Sequence, residues 1–239
     1  MTTFVLVHGG LHGSWCWEPV LEPLRAAGHQ VDAIDLPGRP GGPEVSSIDI
    51  GSFVDVLTDA VNRAEEPVVV VAHSLGGVTA MLAAESRPQA ISRIVFINAV
   101  LPCDGEGVLQ TVIEGGPESV LLREGALVPA GDGLTIFVDS PATAIDAFYN
   151  RCDPDVAKQA ASQLCPEPMP PLLAPVSVTA TRFGSVPKTY IGAEDDHVVP
   201  WALQQRMSHT HSARLVKLNG DHSPFLSATD DLLTALVES

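Results

Sequence analysis

The most informative segment of the chain, residues 68–77, is Val68-Val69-Val70-Val71-Ala72-His73-Ser74-Leu75-Gly76-Gly77. Four consecutive valines followed by alanine are apolar at every position, the pattern of a parallel strand buried on both faces rather than of a strand with one wet side. The residues that follow, Val78-Thr79-Ala80-Met81-Leu82-Ala83-Ala84, read as a helix with small side chains. Ser74 therefore sits on the turn between a strand and a helix. A turn this sharp leaves no room for bulk two residues before or after the serine, and those positions are Ala72 and Gly76. Alanine stands where the usual pattern has glycine. Such a turn holds a serine hydroxyl clear of its own backbone, as a nucleophile requires.

Outward from this stretch, strands alternate with helices along the chain. The pattern predicts strands at 3–7, 30–34, 68–72, 93–97, 188–191 and 213–218, with helices at about 15–27, 50–65, 75–87, 200–207 and 229–237. Alternation of this kind predicts an α/β fold: a mostly parallel sheet of about six strands with helices on both faces. Between Pro102 and Gly184 the rhythm breaks into prolines, glycines, weak helical stretches at 144–149 and 154–164, and no clear strand. An excursion of that length is rare as a loose loop, so a mainly helical cap over a site is expected. Residues 1–101 and 184–239 then form the core and 102–183 the cap, within one domain. No internal repeat or low-complexity tract interrupts this plan.

Composition narrows the function classes. The 239 residues carry 13 Lys+Arg against 29 Asp+Glu, a formal net charge of −16 at pH 7, with 45% hydrophobic content. That charge repels phosphate backbones and anionic membrane surfaces, so neither nucleic acid nor membrane is expected as a partner. The first residues pass straight into a predicted strand without a basic, then apolar, leader, and no apolar run reaches the roughly 18 residues needed to span a bilayer. A soluble cytoplasmic protein is the expectation. Cys16, Cys103, Cys152 and Cys165 form no CxxC pair and read as reduced thiols.

A serine hydroxyl is a poor nucleophile until a base takes its proton and an acid orients that base. On an alternating α/β sheet these partners are sought on loops that follow later strands. The predicted strand at 188–191 empties into Glu194-Asp195-Asp196-His197, and the strand at 213–218 into Gly220-Asp221-His222. His222 is the candidate base, with helix capping as its alternative role. Among three successive carboxylates, Asp196 is favoured for its place four residues before Pro200, where the next helix begins, and Asp195 is the alternative. His197 is expected at the surface. An oxyanion needs preorganised donors. Leu75 supplies one backbone N–H, and the glycine-rich loop His8-Gly9-Gly10-Leu11-His12-Gly13 the other, with Gly10 favoured. His8 and His12 are spaced like zinc ligands, but on a glycine-rich loop without an intervening glutamate, so no metal is expected.

These segments together resemble an α/β-hydrolase, and within that superfamily the plant methylesterase and hydroxynitrile lyase family with its bacterial esterase relatives. The resemblance runs through Phe4 to Trp17, Ala27-Gly28-His29, Asp35 to Gly38, the turn around Ser74, Phe183 to Val186, Tyr190 to Pro200 and Gly220-Asp221-His222, and is weakest in the cap. It implies Ser74 as nucleophile, His222 as base, Asp196 as acid, and Gly10 with Leu75 as oxyanion donors. The lyase members resemble one another in a threonine after the first loop histidine and a lysine after the catalytic histidine. Gly9 and Ser223 stand there in this chain. Hydrolysis of a small methyl or aryl ester, without cofactor, is therefore the expected activity. Gly9, Leu11, His12, Leu101, Phe137, Phe148 and Met169 are the candidate substrate-binding residues, with ordinary core packing as the alternative for the cap members. Rival readings on the same scaffold are a lyase, cyclase or cofactor-free dioxygenase, a thioesterase or lactonase, and a non-catalytic small-ligand receptor. A homodimer is a fair expectation for a soluble chain.

Overall fold

The computed structural model describes residues 1–131 and 133–239. Among these described residues nine strands follow in chain order: β1 (Thr3–Val7), β2 (Gln30–Ile34), β3 (Val68–His73), β4 (Ile91–Ile97), β5 (Leu127–Ala130), β6 (Thr135–Val138), β7 (Glu167–Pro168), β8 (Lys188–Ala193) and β9 (Arg214–Leu218). Six of them form one sheet in the order β2-β1-β3-β4-β8-β9. Every pairing in it is parallel.

Strand alternation splits the sheet's side chains into two layers. Val68, Val70 and Ala72 of β3 enter one hydrophobic cluster with Val5 and Val7 of β1, while Val69 and Val71 enter the other with Phe4 and Leu6. Helices Ile50–Asn62 and Gly76–Ser86 cover the first face through Phe53, Leu57, Val78 and Met81. Helices Glu18–Ala26 and Thr229–Glu238 cover the second through Val20, Leu24, Leu232 and Leu236. All six residues of β3 are buried, which is why the valine run shows no polar alternation. Each such valine contributes about 1.5–3 kcal/mol of burial free energy. Trp17 is fully buried in the second cluster, whereas Trp15 is partly exposed and stacks on His12.

The segment between β4 and β8 departs from the expectation of a helical cap without strands. It does carry helices, at Val108–Gly115, Pro141–Phe148, Pro154–Ser162 and Met169–Leu173. It also carries a small antiparallel sheet in the order β5-β6-β7. The hairpin pairs Leu127 with Val138 and Ala130 with Thr135. Pro129 hides β5 from a sequence reading, because a proline inside a run argues against a strand; on the outer strand of a three-stranded sheet it is tolerated. Thr135-Ile136-Phe137-Val138 is a β-branched and aromatic run of the ordinary kind. No helix among the described residues is long and apolar enough to cross a membrane.

Candidate active site

β3 ends at His73, and the next residue, Ser74, adopts φ +50° before the helix Gly76–Ser86 begins. A left-handed conformation at a non-glycine residue costs on the order of 1–3 kcal/mol and persists only where the surroundings impose it. Here they do: the Ser74 amide donates to the Ile97 carbonyl, and the Ser74 carbonyl accepts from the amides of Gly77 and Val100. A Cβ at Gly76 would stand 2.7 Å from the His8 carbonyl oxygen, and one at Gly9 would stand 2.7 Å from Ser74 Cβ. The glycines on either side thus let the first loop and the helix close around the serine.

The acidic loop after β8 divides cleanly. Glu194 pairs with Lys217 and Asp195 with Arg151, both at the half-exposed surface, while Asp196 is 4% exposed and turns inward. Asp196 Oδ1 accepts the amides of Val198 (2.7 Å) and Val199 (2.8 Å), the turn that Pro200 and the following helix set up. Gln204 Nε2 donates to Oδ2 at 3.3 Å. His222 Nδ1 lies 2.9 Å from Oδ2 and 3.0 Å from Oδ1. A carboxylate only accepts, so Nδ1 carries the proton and Nε2 is left as the basic nitrogen. Such a placement is what a general base needs. His197 is half-exposed and pairs with Asp146.

The loop bearing His222 is pinned to the serine turn through the backbone. His73 Nε2 donates to the His222 carbonyl at 2.8 Å, and Asn98 Nδ2 donates to the carbonyls of Asp221 (2.8 Å) and His222 (3.1 Å). Asn98 follows β4 with φ +45°, a second strained residue at this end of the sheet. Asp221 shapes the loop by accepting the Ser223 amide and the Ser227 hydroxyl. The His222 ring lies between the rings of His73 and Phe148, at 4.7 Å and 5.7 Å centroid separation. Among the described residues no hydrogen bond joins the Ser74 hydroxyl to His222, a contact that often tightens only around substrate. Neither His73 nor Asn98 carries a sequence motif; their proximity to Ser74 and to the end of β4 was the available signal.

Among the described residues neither the Leu75 nor the Gly10 amide has an intramolecular acceptor, and both residues line the cavity at Ser74. The Leu11 amide, by contrast, is occupied by Glu167 Oε2 at 2.7 Å. His12 supports the loop from beneath: Nδ1 lies 2.9 Å from the Gly10 carbonyl and Nε2 2.8 Å from the Tyr149 hydroxyl. The carbonyl fixes the proton on Nδ1, so Tyr149 donates to Nε2. Full burial holds this imidazole down at about 3, and burial lowers His8 and His73 well below the ordinary histidine range as well. His8 makes the equivalent bonds, to the Gly9 carbonyl and from the Leu36 amide. Both loop histidines are therefore neutral structural posts, and among the described residues no cluster of His, Cys, Asp or Glu has metal-binding geometry.

Ser74, Leu75 and Gly10 open onto a cavity of about 100 Å³. Leu11 and Phe148 line it together with Val198 from the acidic loop. Apart from Glu167, the remaining wall is aliphatic: Val100, Val108, Leu109, Val112, Leu121, Leu122, Leu127, Ile136 and Leu172. The other candidate substrate residues lie elsewhere. Leu101 faces a different cavity with Cys103 and Glu106, and its neighbour Val100 takes the wall position. Phe137 gives way to Ile136 because adjacent strand residues point to opposite faces, and Met169 to Leu172 one helical turn on. Gly9 packs behind Ser74, and His12 is consumed by its two hydrogen bonds. Glu167, which sequence reasoning passed over, is the one ionisable side chain on the wall.

The comparisons with known proteins agree with this architecture. The profile of the Alpha/beta hydrolase family matches residues 4–235. Methyl jasmonate esterase 1 of Vitis vinifera is 32% identical over 98% of this chain and 95% of its own length. Putative methylesterase 13, chloroplastic, of Arabidopsis thaliana is 30% identical over 98% of this chain, which spans only 55% of that longer protein. Among solved structures, the pyrethroid hydrolase from Sphingobium faniae JZ-2 superposes with a TM-score of 0.89 at 26% identity, over 99% of this chain and 96% of the other. The chain belongs to the Alpha/beta hydrolase family and, within it, to the methylesterase group.

Proposed function

We propose that this protein hydrolyses small carboxylic esters, of the methyl or aryl type, through an acyl-enzyme on Ser74. The observation that carries the reading is the inward turn of Asp196, alone among three neighbouring carboxylates, onto His222 Nδ1, with His222 held by its backbone against the residue before Ser74. In the reaction, His222 Nε2 takes the Ser74 proton as the hydroxyl oxygen attacks the ester carbonyl. Negative charge on the carbonyl oxygen is met by the Leu75 and Gly10 amides. Collapse of this intermediate expels the alcohol, which receives the proton from His222. Water then repeats the sequence and releases the acid. Each preorganised oxyanion donor is worth about 10²–10³ in kcat.

The aliphatic cavity limits the acyl group to a small, mainly apolar one, and residues 102–183 act as the cap that supplies most of its wall. The names of the relatives, a methyl jasmonate esterase among them, support an ester with a small alcohol. A panel of methyl, aryl and acetyl esters scored by kcat/KM tests the reading. Turnover of short acyl esters that disappears in Ser74→Ala is expected. A folded protein that turns over none of them would overturn it.

A further inference from the structure

Glu167 is an anomaly in an apolar wall. It is 1% exposed, and it sits on the two-residue strand β7. Its Oε2 is fully used, accepting from the Leu11 amide at 2.7 Å and from Arg39 Nη2 at 2.7 Å. Its Oε1 is buried and has no hydrogen-bond partner among the described residues. A buried carboxylate oxygen without a donor is costly, of the order of 1–3 kcal/mol, and such an atom in a native protein calls for an explanation. A purely structural ion pair would not need to stand on the cavity wall. Glu167 belongs to the cavity lining and Arg39 does not, so of the two partners only the acceptor residue borders the cavity. A Cβ at Gly10 would lie 3.8 Å from Glu167 Oε2, so the carboxylate borders the residue proposed as an oxyanion donor.

We propose that Glu167 is a specificity-determining residue that accepts a hydrogen bond from a hydroxyl group on the acyl part of the substrate. A neutral hydroxyl fits better than an ammonium, because Arg39 already balances the carboxylate charge. Burial raises Glu167 above the usual carboxylate range, while the Arg39 guanidinium and the Leu11 amide, both bonded to Oε2, act against it. The assignment rests on the esterase reading for the name of the substrate, but the acceptor itself is a property of the cavity.

The test compares methyl pentanoate with its 2-, 3- and 4-hydroxy derivatives in two assays. One is kcat/KM on the wild-type protein; the other is equilibrium binding to Ser74→Ala by ligand-observed NMR titration, which requires no turnover. One hydroxy ester is expected to be favoured by about 10- to 100-fold over the plain ester, since a site with an unpaired buried acceptor discriminates against a ligand lacking the donor. Glu167→Gln is expected to abolish that preference. The amide oxygen takes the bonds from Arg39 and Leu11, so the NH₂ group falls where Oε1 was and replaces an acceptor by a donor. The ratio between two esters on the same protein is insensitive to a general loss of activity in the variant. A preference under tenfold at every position, in turnover and in binding, overturns the proposal, as does a preference that survives in Glu167→Gln. Binding selectivity without turnover of any ester would refute the esterase reading and leave the acceptor site standing.

Discussion

Replacing His12 by glutamine should flatten the loss of stability on acidification by about one proton. The wild-type imidazole is fully buried, its Nδ1 spent on the Gly10 carbonyl and its Nε2 on the Tyr149 hydroxyl, and it sits among Trp15, Phe148, His73 and Phe225. Burial, the largest cause, lowers it to about 3, with His222 and Arg39 adding repulsion. In the unfolded chain the same group titrates near 6.5. Between these values the unfolded state binds a proton that the folded state refuses. Stability is therefore complete above about pH 6.5 and falls as the pH drops toward 3, by about 1.4 kcal/mol per pH unit. At pH 4.5 the accumulated loss from His12 is about 2.5 kcal/mol. His8 and His73, buried and lowered for the same reason, add losses of the same sign. Opposing them, neutralising part of the net charge of −16 relieves self-repulsion, and Glu167, raised by burial, takes up its proton earlier in the folded state. The absolute pH profile mixes these contributions, so the informative quantity is the difference in slope. Urea unfolding of wild type and His12→Gln at intervals from pH 7 to pH 4.5 measures it. A difference of about 1.4 kcal/mol per unit below pH 6 is expected whatever stability the variant loses at pH 7. Equal slopes would show that His12 is protonated in the folded state and would refute the neutral-post account of the first loop.

Further substitutions separate roles that the geometry distinguishes. Asp196→Asn should lower kcat by up to about 10⁴-fold, because the amide can no longer hold Nδ1 protonated, whereas Asp195→Asn, which only breaks a half-exposed pair with Arg151, should change kcat less than about threefold. Steady-state kinetics on the same ester decides between them. Gly76→Ala places a methyl 2.7 Å from the His8 carbonyl and should destabilise the fold by about 1–3 kcal/mol, read in thermal melts, because backbone on both sides must move. Leu122→Trp adds bulk to the cavity wall and should cut kcat/KM more for longer acyl groups than for acetyl, while leaving reaction with a small organophosphorus probe intact.

The sheet was legible because its strands are apolar throughout or bounded by glycine and proline; β1 and β2 fall on their predicted residues and β3 extends one further. The serine turn was legible for a local reason, the small residues that a sharp strand-to-helix reversal needs. Asp196 could be separated from Asp195 only by its distance to the helix start, and the structure gives the physical basis in two backbone amides that its carboxylate caps. What stayed hidden is non-local. Glu167 meets Leu11 across 156 residues of chain, and nothing near Pro166 or Pro168 marks the glutamate as a wall of the cavity. Ile136 and Phe137 are equally apolar, so only the register of β6 against β5 decides which of them faces inward. The hairpin itself was obscured by Pro129, a residue whose cost depends on whether its strand lies at an edge.

The central claim is that the His222–Asp196 pair makes the Ser74 hydroxyl a nucleophile. Labelling with a fluorophosphonate and mapping of the adduct by mass spectrometry tests it directly, since the probe reports an activated hydroxyl without requiring the natural substrate. One adduct per chain is expected, on the peptide containing Ser74, absent in Ser74→Ala and strongly slowed in His222→Ala. A folded wild-type protein that remains unlabelled, or that is labelled equally fast without His222, would contradict it.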